Sequence, residues 1–260
     1  MRTLRYGCVG DDVGYLQYLI GAEVDRHFEH ETEKKLKKKQ KELGLDDDGS
    51  CGPLTQKALH MSEFMVFVFD PKVDKLWVAG TPYGAASYPL HTLGWWAKEE
   101  GAEIAFNLAF FNMTGSGSDK YGPIKGRTLT YCRGKGRDIG YGGTTEQVVI
   151  DNNNKFAGYK LAIKDGKRRT VSLIRKRARN ANGVLKDGRI FVVQTLTEQT
   201  EYAVVSHMLK NYDVDLMLIQ DSGGSTGAYF SDGGGLLACE REGTNGRPVA
   251  TALCVTRGGK

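Results

Sequence analysis

The sequence has little of what marks membrane-spanning, zinc-binding or disulfide-bonded proteins. No apolar run approaches the roughly 18 residues that a spanning helix requires. The five cysteines are odd in number and scattered, and none stands in a CxxC or CxxH spacing. These absences argue against a disulfide framework and a zinc site, so we expect free thiols, no metal, no cofactor and no membrane partner.

Proline is also scarce, with 6 residues, whereas glycine is abundant, with 34. This composition favours tight turns and close backbone approaches over polyproline segments. Hydrophobic residues make up 40% of the chain and charged residues 26%, as in ordinary globular proteins. We therefore expect a folded chain with loop-rich β structure.

Acidic residues are rare in one long stretch. Residues 160–189 contain eleven Lys and Arg but only two Asp, and the whole chain has a net charge of +5. Such a stretch fits either an anionic partner or a solvated basic surface. Only Tyr159 supplies an aromatic ring beside it, and no P-loop or GxGxxG spacing occurs. We therefore expect no nucleic-acid partner.

Residues 1–61 follow a helical hydrophobic period. A first helix should begin near Asp11 or Asp12, whose carboxylates suit free N–H groups and the positive end of the helix dipole. A second should end at Gly44, a typical left-handed stop, and a third should run through Leu59. The pattern predicts a small three-helix domain around one apolar centre.

An internal echo relates two parts of this segment. Residues 25–32 (DxxFxxxT) and 48–55 (DGxxGxxT) each place a turn before a helix. With the glycines and leucines of the first helix, this pattern resembles the peptidoglycan-binding domain 1 family over essentially all of residues 1–61. Arg26 and Glu29 stand where that family favours glycine. The resemblance implies that the partner is peptidoglycan or a wall-attached anionic glycopolymer.

Two metal-site alternatives in this segment are weak. A calcium loop starting at Gly44 would lack a side-chain oxygen at its first position and a Glu at its twelfth. His27 and His30 have no further ligands at a matching spacing, so a surface loop is the better interpretation.

From Phe64 onward the pattern changes to that of strands. Residues 64–69 and 75–79 predict a β-hairpin. Helices over 90–100 and 201–211 should precede buried strands over 104–108 and 215–220, and a late strand should cover 249–255. We therefore predict an α+β protein in which residues 1–61 form the three-helix domain and residues 62–260 form a mixed α/β-sheet domain.

The turn after the strand at 215–220 carries polar residues that suit a ligand site. Asp221 is followed by Ser222, Gly223, Gly224 and Ser225, and the glycines allow a sharp turn that brings N–H groups close to a sugar or phosphate oxygen. Residues 223–227 also match GxSxG, the nucleophile turn of serine hydrolases. That hypothesis is weak because the last histidine in the chain precedes the serine.

Four blocks resemble the phosphodiester glycosidase family, which includes the enzymes that uncover mannose 6-phosphate by removing N-acetylglucosamine. They are residues 105–112, 179–189, 218–225 and 247–253, in an order and spacing that span about residues 64–257. The resemblance implies that residues 62–260 are a catalytic domain cleaving a glycosidic or sugar-1-phosphodiester bond. Ser222 and Gln220 depart from the family pattern at the turn.

Glycosidic cleavage usually requires two carboxylates. Asp221 is the first candidate, although an aspartate here could instead cap the glycine turn. No motif fixes the second carboxylate, for which Glu146, Asp119 and Glu240 are candidates because of their glycine-rich surroundings.

Cationic side chains could replace one of those carboxylates. A leaving phosphate is a weak base, so one carboxylate with arginine stabilisation suffices for a phosphodiester. Arg179 and Arg247 suit that role, or else form structural ion pairs. Asn107 would bind a sugar hydroxyl, or else satisfy a buried turn.

These features together favour a bacterial cell-wall glycan hydrolase of the endolysin type. The alternative is a non-catalytic wall-binding protein with a degenerate glycosidase domain. Because Met1–Tyr6 lacks the apolar run of a secretory signal, we expect the protein to be made in the cytoplasm and to act on the wall after lysis or export.

Overall fold

The computed structural model describes residues 1–112, 125–237 and 246–258. These residues form five short α-helices and fifteen strands in three sheets. The helices are α1 (Asp11–Ile20), α2 (His30–Glu42), α3 (Pro53–Ala58), α4 (Leu93–Glu100) and α5 (Glu201–Asn211). The strands are β1 (Phe64–Phe69), β2 (Lys75–Gly80), β3 (Ile104–Asn107), β4 (Cys132–Gly134), β5 (Arg137–Gly140), β6 (Gln147–Val149), β7 (Lys155–Ala157), β8 (Lys160–Lys164), β9 (Lys167–Arg168), β10 (Asn180–Leu185), β11 (Ile190–Thr195), β12 (Val214–Ile219), β13 (Ala228–Phe230), β14 (Gly235–Leu237) and β15 (Thr251–Thr256).

The three sheets are antiparallel throughout. The first has the strand order β1-β11-β10-β12-β8-β9, the second β14-β13-β3-β15-β2 and the third β5-β4-β7-β6. Most strands have only three to six residues and many are joined by short turns. Short connections allow antiparallel pairing, whereas parallel neighbours need a crossover of a dozen or more residues.

The predicted α+β architecture, a three-helix domain followed by a mixed α/β sheet, is therefore wrong. The described chain is mostly antiparallel sheet, and α1, α2 and α3 do not form a separate three-helix bundle. Tyr15 and Tyr18 of α1 pack edge-on against Phe67 of β1, with ring centroids 5.7 and 4.7 Å apart. The buried apolar residues of the first 61 positions and of the sheets form one continuous cluster. The proposed boundary at residue 61 stays a prediction.

The predicted hairpin of β1 and β2 is also wrong, although both strands exist. β1 pairs with β11, and β2 pairs with β15 in a different sheet. The other predicted elements lie within three residues of their observed limits at each end, and α5 matches its predicted range. Apolar runs thus locate strands in the chain but do not specify their partners.

The internal echo is visible as two equivalent hydrogen-bonded units. In the first, the Gln17 side-chain amide donates to Asp25 at 2.6 Å and Thr32 at 2.9 Å. In the second, the Gln40 amide donates to Asp48 at 3.0 Å and Thr55 at 3.2 Å. Each pair of equivalent residues is 23 positions apart (17 and 40, 25 and 48, 32 and 55). The repeat ties each helix to the loop that follows it.

Candidate functional site

A cavity of about 290 Å³ opens beside the end of β12. Its walls come from the segment after β3, the segment before β10, the first residue of α5 and the turn after β12. Arginines, carboxyl groups and aromatic rings dominate its lining, which consists of Phe110, Phe111, Tyr159, Arg175, Arg177, Arg179, Glu201, Gln220, Asp221, Ser222, Ser225 and Arg247.

The conformation of the turn that carries Asp221 depends on glycine and on a hydrogen bond to the segment before β10. Gly223 has a φ of 76°, a left-handed conformation that favours glycine, and its N–H donates to the Ala178 carbonyl at 2.9 Å. A Cβ at Gly224 would lie 3.0 Å from the Arg247 guanidinium carbon. Glycine at 224 therefore allows that guanidinium to lie against the backbone of the turn.

Asn107 supports the same turn from inside the protein. Its side-chain amide donates to the backbone carbonyl of Asp221 at 3.2 Å, and its own carbonyl accepts from the Asn180 amide at 2.7 Å. Asn107 is fully buried and does not line the cavity. Its position fits a residue that orients Asp221 rather than one that binds a sugar hydroxyl.

The carboxyl of Asp221 has a strongly raised pKa. Its residue is only 7% exposed, and this burial raises the pKa of the carboxyl from 3.8 to about 7. Hydrogen bonds from the Ser225 hydroxyl and the Ser222 N–H, together with the charge of Arg247, offset part of the effect of burial on the pKa. Protonated and ionised forms of Asp221 therefore coexist near neutral pH, as acid–base catalysis requires.

Arg179 is buried and held in one orientation. Its Nε donates to the Gln199 carbonyl at 2.8 Å, its Nη1 lies 3.4 Å from a Glu201 oxygen, and its Nη2 donates to the Arg175 carbonyl. Burial lowers its pKa, and the Glu201 charge opposes that shift. An arginine keeps its proton under such conditions, so Arg179 is a fixed positive charge at the cavity wall.

Two further arginines add to this charge. Arg175 and Arg177 line the cavity, and neither forms an ion pair with another described residue. Sequence reasoning placed both in the basic stretch but did not select them as site residues. Their alternating positions with Arg179 were the available signal, because every second residue of an extended segment points the same way.

Glu201 is a second carboxyl group in the cavity that sequence reasoning missed. It is the first residue of α5. An acidic residue at that position is usually explained by its favourable interaction with the helix dipole, so the sequence offered no reason to select it. Its Oε2 accepts from Lys160 Nζ and from the Ser172 N–H, each at 2.8 Å. Burial raises its pKa, but these hydrogen bonds and the nearby cations outweigh burial, so the pKa is lowered and Glu201 stays ionised at neutral pH.

An aromatic pair lies at the cavity. Phe110 and Tyr159 stack with ring centroids 5.9 Å apart and an interplanar angle of 29°. Phe110 is 36% exposed and Tyr159 is 52% exposed. Their exposed ring faces carry partial negative charge and can pack against the polarised C–H groups of a sugar ring.

The structure brings together most of the residues predicted for the site. Asp221, Arg179, Arg247, Ser222 and Ser225 all line the cavity, while Gly223, Gly224 and Asn107 support it. Their catalytic and binding roles stay predictions.

Glu146 does not line the cavity. Its carboxylate accepts from Lys164 at 3.0 Å and from Thr145 at 2.9 Å, and these hydrogen bonds lower its pKa. The alternative carboxylates Asp119 and Glu240 lie outside the described residues. Among the described residues, no group of three or more His, Cys, Asp or Glu is placed to hold a metal ion.

Comparison with solved structures identifies the fold. The catalytic domain of zebrafish N-acetylglucosamine-1-phosphodiester alpha-N-acetylglucosaminidase, auto-inhibited by its pro-peptide, matches with a TM-score of 0.54 and 15% identity, over 75% of this chain and 83% of that chain. A hypothetical protein from Synechocystis matches with a TM-score of 0.48 and 13% identity, over 74% of this chain and 58% of that one. This protein therefore has a phosphodiester glycosidase-like fold.

The sequence comparisons add no family. No protein-family model and no curated protein sequence matches the chain, so the resemblance of residues 1–61 to a peptidoglycan-binding family gains no support. In the part of the chain that the structure describes, no helix has the length and apolar character needed to cross a membrane.

Proposed function

We propose that this protein is a glycosidase that hydrolyses a sugar-1-phosphodiester or a similarly anionic glycosidic bond, with Asp221 as its acid–base residue. The observation that carries the proposal is a buried carboxyl with a pKa of about 7 in a cavity lined by four arginines. The neighbour of similar fold is named for the cleavage of an N-acetylglucosamine-1-phosphodiester. The charge of the cavity suits a substrate of that class.

The arrangement suggests a division of labour during bond cleavage. The sugar C–O bond to the leaving group breaks, and water supplies the hydroxyl that replaces it on the sugar. The leaving phosphate carries its charge into contact with Arg179, Arg247 and the two other arginines, so it needs little protonation. Asp221 takes the proton of the attacking water or donates one to the leaving oxygen. The Phe110–Tyr159 pair stacks on the sugar ring.

We further propose that residues 1–61 hold the protein on the bacterial cell wall, in the manner of an endolysin. The support is the resemblance described above and the two Gln–Asp–Thr units, which repeat the same hydrogen bonds 23 residues apart. Attachment to the wall would raise the local concentration of substrate at the cavity.

The test is release of sugar or sugar phosphate from purified Gram-positive walls, measured by mass spectrometry of the soluble products. Asp221→Asn keeps the shape of the side chain and removes its ionisation, so it should lower kcat/KM by at least about a hundredfold. Asp187→Asn, at an exposed turn, is the matched control and should retain activity. Full activity of the Asp221 variant would remove this residue from the mechanism.

The same experiment separates the alternative of a non-catalytic wall-binding protein. That alternative predicts that the wild-type protein sediments with walls but releases no product. Wall binding without product would therefore reject a wall-directed glycosidase and favour the non-catalytic alternative.

A further inference from the structure

An apolar tip projects from the basic stretch beside the cavity. Leu173 is 66% exposed and Ile174 is 89% exposed, although both are large aliphatic residues. They are adjacent in the chain and lie in the irregular segment between β9 and β10. Two neighbouring aliphatic side chains in water are unfavourable unless something covers them.

The tip is held in place on both sides. The Ser172 N–H donates to Glu201 at 2.8 Å, and the Tyr202 N–H donates to the Ser172 carbonyl at 3.1 Å. Beyond the tip, Arg177 and Gln199 form an isolated bridge with hydrogen bonds of 3.1 and 2.7 Å. The two apolar side chains are therefore displayed on a short, anchored loop.

Cations flank the tip on both sides in the chain, and none of them is ion-paired with a described residue. Residues 166–178 contain no Asp or Glu. None of the six cations in this range forms an ion pair with another described residue: Lys167, Arg168, Arg169, Arg175, Lys176 and Arg177. The nearby Glu201 carboxylate pairs with Lys160 and Arg179 instead of with these six cations, so their charge remains available to attract anions.

We propose that residues 167–177 form a membrane-contact loop, with Leu173 and Ile174 entering the interfacial region of an anionic lipid bilayer while the exposed Lys167, Arg169 and Lys176 bind the headgroups. An anionic polymer would account for the cations but not for the exposed aliphatic pair. A bilayer accounts for both, because interfacial binding combines apolar insertion with attraction to anionic headgroups. The expectation of no membrane partner rested on the lack of a spanning segment, which peripheral contact does not require.

This contact has a consequence for the cavity. Arg175 and Arg177 belong to the loop and also line the cavity, and Glu201 binds Ser172 of the loop and Arg179 of the cavity wall. A loop seated on headgroups would place the cavity entrance at the membrane surface. The proposal does not depend on the glycosidase activity.

Vesicle binding by the full chain tests the proposal. We expect the protein to sediment with phosphatidylcholine vesicles containing about one third phosphatidylglycerol, but not with pure phosphatidylcholine vesicles, at near-physiological salt. The double variant Leu173→Ser/Ile174→Ser should weaken this partitioning at least about tenfold, since it removes the apolar contribution.

Leu54→Ser is the matched control, because Leu54 is 75% exposed on helix α3, outside the loop. It should bind anionic vesicles as the wild type does. Ile174→Trp provides a second measurement that does not depend on loss of function. Relative to the wild type, its added tryptophan fluorescence should shift to the blue on anionic vesicles and be quenched by lipids brominated in the acyl chain.

Three results would overturn the proposal. Unchanged binding of the double serine variant would mean purely electrostatic attraction. A tryptophan at 174 that brominated lipids do not quench would place the tip outside the bilayer. No sedimentation with either vesicle would reject a lipid partner and would indicate that the tip contacts another protein.

Discussion

At the scale of the residue, burial and function compete at Asp221. Its pKa of about 7 in the folded protein lies above the ordinary value of 3.8, so the folded state binds the proton more tightly than the unfolded chain does. The stability that comes from the protonated form is fully present below about pH 4 and is lost as the pH rises through about 7. Above that pH the folded protein holds a poorly solvated carboxylate.

Asp221→Asn should therefore stabilise the protein in a pH-dependent manner. We expect the free energy of unfolding to rise by up to about 4 kcal/mol at about pH 8, where the wild type is ionised, and to change little at about pH 4. Urea unfolding of both proteins at the two pH values measures this. A difference that does not vary with pH would show that burial does not raise the Asp221 pKa.

Glu201 contributes to the cavity by its ion pairs with two cations. Its side chain is 5% exposed and lies between Lys160 at 2.8 Å and Arg179 at 3.4 Å. The carboxylate neutralises two cations and fixes the direction of the Arg179 guanidinium. We regard it as a positioning residue for the cavity.

Glu201→Gln should leave these two cations without their anion and so lower both stability and activity. The expected loss of unfolding free energy is about 2–4 kcal/mol, as for other broken buried ion pairs. With a soluble sugar-1-phosphodiester, KM should rise more than kcat falls, because Arg179 loses its orientation towards the substrate. The control is Glu198→Gln at a nearby exposed position. Equal effects of the two substitutions would argue against the positioning role.

At the scale of the element, the two Gln–Asp–Thr units explain how short helices become stable. Helices of 10 and 13 residues are marginal by themselves. Gln17 and Gln40 each lie in the second half of a helix. The side-chain oxygen of each accepts a hydrogen bond from a backbone N–H of the following loop, at 2.8 and 3.0 Å. The donors are Arg26 and Gly49, which both have positive φ, 69° and 77°. Glycine adopts this conformation without strain, whereas arginine does not.

Equivalence of the two units predicts equal effects of mutation. Gln17→Ala and Gln40→Ala should each destabilise the protein by about 2–3 kcal/mol, because each removes the hydrogen-bond partner of a buried threonine hydroxyl and of a loop N–H. Lys38→Ala on the exposed side of α2 should change stability by less than about 0.5 kcal/mol. Thermal unfolding of the three variants measures this, and a large difference between the two glutamine variants would mean that the units are not equivalent.

At the scale of the whole molecule, one apolar core joins the first 61 residues to the sheets. Tyr18 of α1 contacts both Phe67 of β1 and Phe230 of β13, with ring centroids 4.7 and 5.8 Å apart. The Val66 N–H also donates to the Tyr15 hydroxyl at 3.0 Å. These contacts link α1 to two different sheets, so the helices and sheets stabilise each other.

A shared core predicts a single unfolding transition. The calorimetric and van't Hoff enthalpies should agree, and Tyr18→Ala should lower the one transition temperature by several degrees without creating a second transition. Scanning calorimetry of the wild type and the variant measures this. Two separate transitions in the wild type would instead identify residues 1–61 as an independently stable unit.

The sequence by itself determined the positions of several strands, one helix and the turn at Asp221. Apolar runs placed β1, β3, β12 and β15, and helical spacing placed α5, because the side chains that an element buries repeat with its own period. The glycine turn after Asp221 and the echo in residues 1–61 were also readable, since a turn depends on the conformational limits of its own residues. Ser225 was selected with that turn, and Arg179 and Arg247 were selected through the family resemblance.

Only the tertiary structure decided which strands pair, and which charges meet. Strand β1 pairs with β11 rather than with its neighbour β2, and Glu201 meets Arg179 across 22 positions of the chain. Burial likewise sets the pKa of Asp221, whose N–H faces the Leu108 carbonyl at 3.5 Å. Pairing, ion pairs and desolvation depend on distances between residues far apart in the chain, and a local pattern contains no information about those distances.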